Sequence, residues 1–151
     1  FLDHRVTRGM IREQAAGKRF LNLFGYTGSF TVYAAAGGAA STTTIDLSNT
    51  YLDWARENLE LNDLSDPCHR LVQSDALTWL RDLHTDVTFD LALVDPPTFS
   101  NSKDLADDWE TQRDHVELLK RLAGHMVSGG VIYFSNNFRR FKLQESDLAQ
   151  F

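Results

Sequence analysis

Cys68 is the only cysteine in this 151-residue sequence. It can form no disulfide within the chain and cannot by itself build a cysteine-rich zinc site, which fits a reducing compartment. The five histidines fall at no metal-ligand spacing, so no metal is expected. No apolar run approaches the ~18 residues of a membrane span, and no charged-then-apolar leader opens the chain. These absences point to a soluble, cytoplasmic protein without membrane contact. Internal repeats and low-complexity stretches are also missing. Positive charge is short: 15 Lys and Arg against 21 Asp and Glu leave a net −6, which argues against blanket phosphate neutralisation as a way of holding nucleic acid.

The distribution of charge says more than its sum. Arg5, Arg8, Arg12, Lys18 and Arg19 crowd the first twenty residues, and Arg139, Arg140 and Lys142 cluster near the other end. Between them, Asp104, Asp107, Asp108, Glu110, Asp114 and Glu117 oppose only Arg113. Each cluster alone reads as a solvated helix face. Together, two basic ends around an acidic middle are compatible with an anionic polymer lying on one side.

With 42% hydrophobic residues, residues 1–151 suffice for one compact domain with a core. Strand-length apolar runs fall at residues 19–24, 41–46, 69–73, 89–94 and 131–135. Helical segments separate them. One is expected over 6–16, and one ends at Ala36 before Gly37-Gly38. One is N-capped by Ser48 with Leu52, Ala55 and Leu59 on a face, one spans 75–83, and one runs from Trp109 to Met126 and stops at Ser128-Gly129-Gly130. Alternating β and α predicts an α/β fold with a doubly wound, mainly parallel sheet. The first residue is not methionine, and the chain stops at Asp147-Leu148-Ala149-Gln150-Phe151 as a helix begins. A piece of a longer protein is therefore expected.

In such a sheet the chemistry gathers where strands end. After the first strand, Gly25 and Gly28 remove side chains from a tight turn, either for packing or so that a ligand can approach the backbone. Asp46 ends the second strand, where it can accept both hydroxyls of a ribose or cap the next helix. Asp75 follows the third, where it can take an adenine amine or serve as an N-cap. Asp95-Pro96-Pro97-Thr98-Phe99 follows the fourth. Its prolines lack N–H donors and have fixed φ, so they leave the sheet as a rigid rim. All four sites land on one sheet edge, lining up ribose, adenine and a reacting centre.

This pattern resembles the class I S-adenosylmethionine-dependent methyltransferases. Four strings narrow the resemblance: Phe1-Leu2-Asp3-His4-Arg5, Asn22-Leu23-Phe24-Gly25-Tyr26-Thr27-Gly28, Asp95-Pro96-Pro97-Thr98-Phe99-Ser100-Asn101-Ser102-Lys103 and Phe134-Ser135-Asn136-Asn137. They are similar to bacterial methyltransferases of 23S ribosomal RNA, and within these to the C-terminal, guanine-N7-methylating half of the fused bifunctional enzymes. The resemblance covers nearly the whole chain. It implies a fold finished by two further strands and partner domains that bind RNA and methylate a second guanine. It also implies S-adenosylmethionine contacts from Phe24, Gly25, Tyr26, Thr27, Gly28 and Ser29, from Asp46, Leu47 and Ser48, from Asp75 and Ala76, and from Asp95. Arg5 and Asp3 would close the pocket, or else form a surface ion pair worth ~1 kcal/mol or less.

A sister branch makes 5-methylcytosine, for which a cysteine thiolate must first add to the ring. Here Thr98 and Ser135-Asn136-Asn137 stand where that thiol would be, and Cys68 precedes the third strand. Guanine N7 instead attacks a sulfonium methyl directly, so alignment and compensation of charge suffice. Asp95 would supply negative potential, Pro96 and Pro97 would hold the base edge, Phe99 would stack on an extruded base, and Asn136 or Asn137 would bond to it. Amine-methylating enzymes share the Asp-Pro-Pro motif but place an aromatic directly after it, where Thr98 intervenes here. Two further alternatives are a non-catalytic RNA-binding domain and a nicotinamide-dependent oxidoreductase, the latter disfavoured by the absent Gly-x-Gly-x-x-Gly.

Overall fold

The computed structural model describes residues 4–100 and 109–149. Phe1, Leu2 and Asp3, the string Asn101-Ser102-Lys103, the acids Asp104, Asp107 and Asp108, and residues 150–151 lie outside them.

Strands β1 (Arg19–Leu23), β2 (Ser41–Asp46), β3 (His69–Gln73), β4 (Phe89–Val94) and β7 (Met126–Phe134) form one sheet in the order β3-β2-β1-β4-β7. Every pairing in it is parallel. The order runs outward in both directions from β1, so consecutive crossovers place helices on both faces. The side chains show it. Phe20, Leu91 and Leu93 join Ile11 of α1 (Arg5–Gln14), Ala15 at its C-cap, and Phe30 and Ala34 of α2 (Ser29–Ala36). Leu21, Leu23, Ala92 and Val94 face the other way, toward Leu80 of α4 (Ala76–Asp82) and Leu118 and Leu122 of α5 (Thr111–Ala123). Two-residue alternation along β1 and β4 thus feeds two cores, each fully buried Leu contributing about 1.5–3 kcal/mol.

Helix α3 (Asn49–Glu60) buries the expected Leu52, Ala55 and Leu59, and Ser48 caps it by accepting from Tyr51 N at 3.3 Å. A short α6 (Glu145–Leu148) closes the described chain. Between β1, α2 and β2 runs a buried polar chain in which Asn22 Nδ2 donates to Thr31 Oγ1 (3.0 Å), itself 2.6 Å from Thr44 Oγ1. Every link is satisfied by its neighbours, so the threonine-rich β2 can sit inside the sheet.

Three expectations are corrected. The helix expected from Trp109 begins only at Thr111, because Trp109–Glu110 forms strand β6, antiparallel to β5 (Phe99–Ser100). Ser128-Gly129-Gly130 is not a helix stop but part of β7, where the register against β4 slips between the pairs Phe89–Met126 and Leu91–Val131. A bulge absorbs the surplus residues, with Gly129 at φ +76°. The first strand ends at Leu23, one residue early, since Phe24 adopts φ +60°.

Candidate active site

At the carboxyl edge of the sheet, the chain leaving β1, β2, β3 and β4 encloses a cavity of about 770 Å³. This size is usual for a small-molecule site. Phe24 and Tyr26 form one wall, and both have positive φ, 60° and 49°. Bulky residues rarely adopt this region, at a cost of about 1–3 kcal/mol each. Asp46 holds the strained turn: its Oδ2 accepts from Tyr26 N and its Oδ1 from Ser48 N, both at 2.8 Å. Burial pushes the Asp46 carboxyl above its ordinary value, with the N–H groups of Ser48, Tyr26 and Leu47 opposing that shift. Each oxygen keeps a further lone pair, enough for a vicinal diol.

The glycines of the turn serve packing. A Cβ on Gly25 would lie 2.2 Å from Thr44 Cγ2, and one on Gly28, at φ +68°, would lie 2.7 Å from Ala55 Cβ. Gly25, Thr27, Gly28 and Ser29 are not part of the cavity wall. Thr27 is buried, and its Oγ1 is the one buried side-chain polar atom without a partner among the described residues.

Leu47, Ser48, Asp75 and Ala76 continue the wall. Asp75 is the N-cap of α4, Oδ1 accepting from Thr78 N (2.8 Å), and the residue also lines the cavity. Tyr51 and Gln73, which sequence reasoning missed, also stand here. Tyr51 meets the Tyr26 ring edge-on at 4.6 Å, and Gln73 Nε2 donates to Leu47 O at 3.2 Å.

Opposite these lies the end of β4. Asp95, Pro96 and Pro97 all face the cavity. Asp95 Oδ1 accepts from Ser135 Oγ at 2.5 Å, and Oδ2 lies 3.6 Å from His4 Nε2. The Pro97 carbonyl is held from inside by Trp109 Nε1 (2.9 Å) and Thr111 Oγ1 (2.7 Å), and Thr111 N donates to Thr98 O. Trp109, buried and 5.4 Å from the Phe24 ring, thereby fastens the two prolines to the strained turn.

The remaining expected residues stand apart from the wall. Phe99 is 58% exposed and pairs with Phe138, and Arg5 is exposed on α1. Asn136 Oδ1 is engaged by Phe138 N in its own turn, whereas Asn137 lines the cavity. His4 and Ser135 sat inside motifs quoted for their resemblance, but their contacts to Asp95 span long sequence separations and leave no local signal. Trp109 was hidden by its reading as the start of a helix.

A Rossmann-like sheet with acids after β2, β3 and β4 around one cavity defines a nucleoside-cofactor methyltransferase fold. Residues 1–140 match the family model described as S-adenosylmethionine-dependent methyltransferase, and the chain belongs to that family. Two curated relatives, from Ectopseudomonas mendocina and Pseudomonas aeruginosa, are each 57% identical over all 151 residues and carry the name ribosomal RNA large subunit methyltransferase K/L. The chain spans 20% of the length of each. Among solved structures, SMU.776 complexed with S-adenosylhomocysteine matches 99% of this chain and 39% of its own, at TM-score 0.87 and 31% identity. The S-adenosylmethionine-dependent methyltransferase from Agrobacterium tumefaciens matches 97% and 48%, at TM-score 0.86 and 25% identity.

The residues present suit S-adenosylmethionine. Asp46 offers fixed acceptors for a ribose, and Ile45 and Ala76 supply apolar surface for a base beside Asp75.

Proposed function

We propose that this chain is the methyl-transfer domain of a cytoplasmic enzyme that modifies guanine N7 in 23S ribosomal RNA. The name shared by the 57%-identical relatives supports the ribosomal RNA substrate. Because those relatives are about five times longer, RNA-binding and second methyltransferase domains are proposed for the rest of the protein. Among the described residues no helix is long and apolar enough to cross a membrane.

Asp95 carries the chemical reading. It stands at the cavity wall with its carboxylate fixed by Ser135, and no thiol is near it, Cys68 lying ahead of β3 at the opposite edge of the sheet. Bound S-adenosylmethionine supplies an electrophilic methyl on a sulfonium. An N7 lone pair needs no base to reach it, so positive charge passes to the purine without loss of a proton. Asp95 places negative potential where that charge develops. Pro96 and Pro97 set the base edge, Phe99 stacks on the extruded base, and Asn137 or Asn136 bonds its rim. Asp46, Leu47, Ser48, Asp75 and Ala76 orient the cofactor, together with Phe24 and Tyr26. Gly25, Thr27, Gly28 and Ser29 act by shaping the turn, and Arg5 by closing over it.

One observation favours a second reading, methylation of an exocyclic guanine amine. The Asp95 carboxylate is held as an acceptor and suits an N–H donor equally well. Digesting rRNA methylated by the full-length protein and identifying the nucleoside by mass spectrometry separates the two. 7-Methylguanosine is the expected product; N2-methylguanosine would establish the second reading, and 5-methylcytidine would overturn both. Asp95→Ala is expected to lower kcat by about 100-fold or more while S-adenosylhomocysteine still binds, as calorimetry reads.

A further inference from the structure

The segment after β7 is pinned to α5 at several points. The Phe141 ring packs against His115 (4.8 Å) and Phe134 (5.4 Å). The Gln112 amide bonds both the N–H and the carbonyl of Lys142, at 2.9 and 3.0 Å, and Gln144 N donates to His115 Nε2 at 3.3 Å. This anchoring leaves Arg139, Arg140 and Lys142 exposed. None of the three forms an ion pair among the described residues. By contrast, Arg19, Arg56, Arg81, Arg113 and Arg121 are each held by a carboxylate. Three cations without a carboxylate partner therefore sit together on one anchored segment of a chain of net charge −6.

Aromatic surface joins these cations to the cavity. Phe138, next to Arg139, meets Phe99 edge-on at 6.2 Å, and Phe99 is 58% exposed. Asn137 and Ser100, the neighbours of these two rings, line the cavity itself. A strip therefore runs from the cavity mouth over Phe99 and Phe138 to Arg139, Arg140 and Lys142. Glu145 and Asp147 appear only beyond it, on α6.

We infer that this strip is the docking surface for single-stranded RNA flanking the target nucleotide. Rings flanked by unpaired cations combine base stacking with phosphate contact, the two contributions by which proteins hold unpaired nucleic acid. Arginine suits the phosphates because its planar fork donates to two oxygens at once. The strip explains how an acidic domain can engage an anionic polymer: three local cations meet the backbone while the net charge stays negative. This inference rests on RNA being the substrate.

The test uses the full-length protein with the double substitution Arg139→Glu/Arg140→Glu, and with Lys142→Glu as a separate variant. Steady-state methylation of protein-free 23S rRNA is measured against salt, and binding of a short unstructured RNA is followed by fluorescence anisotropy. The double variant is expected to raise KM for rRNA about tenfold and to flatten the slope of log affinity against log salt by about 0.7 per lost phosphate contact. Lys142→Glu moves both quantities in the same direction. S-adenosylhomocysteine affinity and thermal unfolding stay unchanged, which excludes misfolding. Wild-type KM, anisotropy and salt slope in both variants would overturn the inference. So would an unchanged KM for RNA alongside a raised KM for a ribosomal protein, which would make the strip a protein-docking surface. If wild-type protein transfers no methyl to rRNA, yet RNA binding is lost in the double variant, the strip stands and the substrate assignment fails.

Discussion

Asp46 occupies two positions at once, locked by Tyr26 N and Ser48 N yet placed at the cavity wall. Burial raises its pKa, so its charged form is the costlier one in the fold. The sign follows: its stabilising contribution is complete below the unfolded value near ~3.9 and is lost as pH rises through the higher folded value. On the proposed ribose contact, cofactor affinity runs the other way, because only the carboxylate can accept from both hydroxyls. Calorimetric affinity for S-adenosylhomocysteine is expected to fall as pH is lowered toward the raised Asp46 value, and to begin falling at a higher pH than an ordinary aspartate would give. Asp46→Asn should bind about tenfold more weakly and lose that pH dependence. Sequence alone found this residue because one strand, one acid and one helix start are local. It could not find Ser135, whose bond to Asp95 closes a loop of 40 residues.

At the scale of elements, the turn from β1 into α2 joins two requirements. Gly28 needs both a positive φ and the absence of a Cβ, since Ala55 of α3 already fills that space. Gly28→Ala is therefore expected to destabilise the protein by about 1–3 kcal/mol in denaturant titration. Gly9 offers the contrast within one chain: it lies inside α1 with nothing within 4 Å of a built Cβ. Gly9→Ala should stabilise by up to about 1 kcal/mol through helix propensity. The alternation of strands and helices was readable because each element repeats its own period. The pairing of Phe99–Ser100 with Trp109–Glu110 was not, since a two-residue strand has no period to read. The β7 bulge escaped for a related reason: glycines in a strand and glycines at a helix end look alike until a partner strand fixes the register.

Taken whole, the molecule sets helices on both faces of a parallel sheet and concentrates its functional chemistry along one edge. β3 and β7 are the two outer strands, and β1 lies at the centre, where the order of strands reverses. The cavity sits over that reversal, so on the proposed reading cofactor residues come from β1, β2 and β3 while the reacting edge comes from β4 and β7. That Asp46, Asp75 and Asp95 would meet around one cavity was legible from the sequence, because each acid stands at the end of a strand. The contribution of the first helix was not. His4 brings α1 within 3.6 Å of Asp95 and packs 5.6 Å from Phe30, so the start of the described chain reaches the reacting edge.

The fastening of the prolines also gives the protein an optical signal of its own. Of its three tryptophans, Trp54 is 45% exposed on α3 and Trp79 packs near Phe89, away from the cavity wall. Trp109 alone is both buried and part of that wall. With Trp54 and Trp79 replaced by phenylalanine, the remaining emission should shift or quench as S-adenosylhomocysteine is titrated, and Asp46→Asn should move that titration to higher ligand concentration. An emission that stays constant while calorimetry records binding would place the ligand away from Trp109. The indole that braces the reacting edge thus doubles as a built-in fluorophore for occupancy.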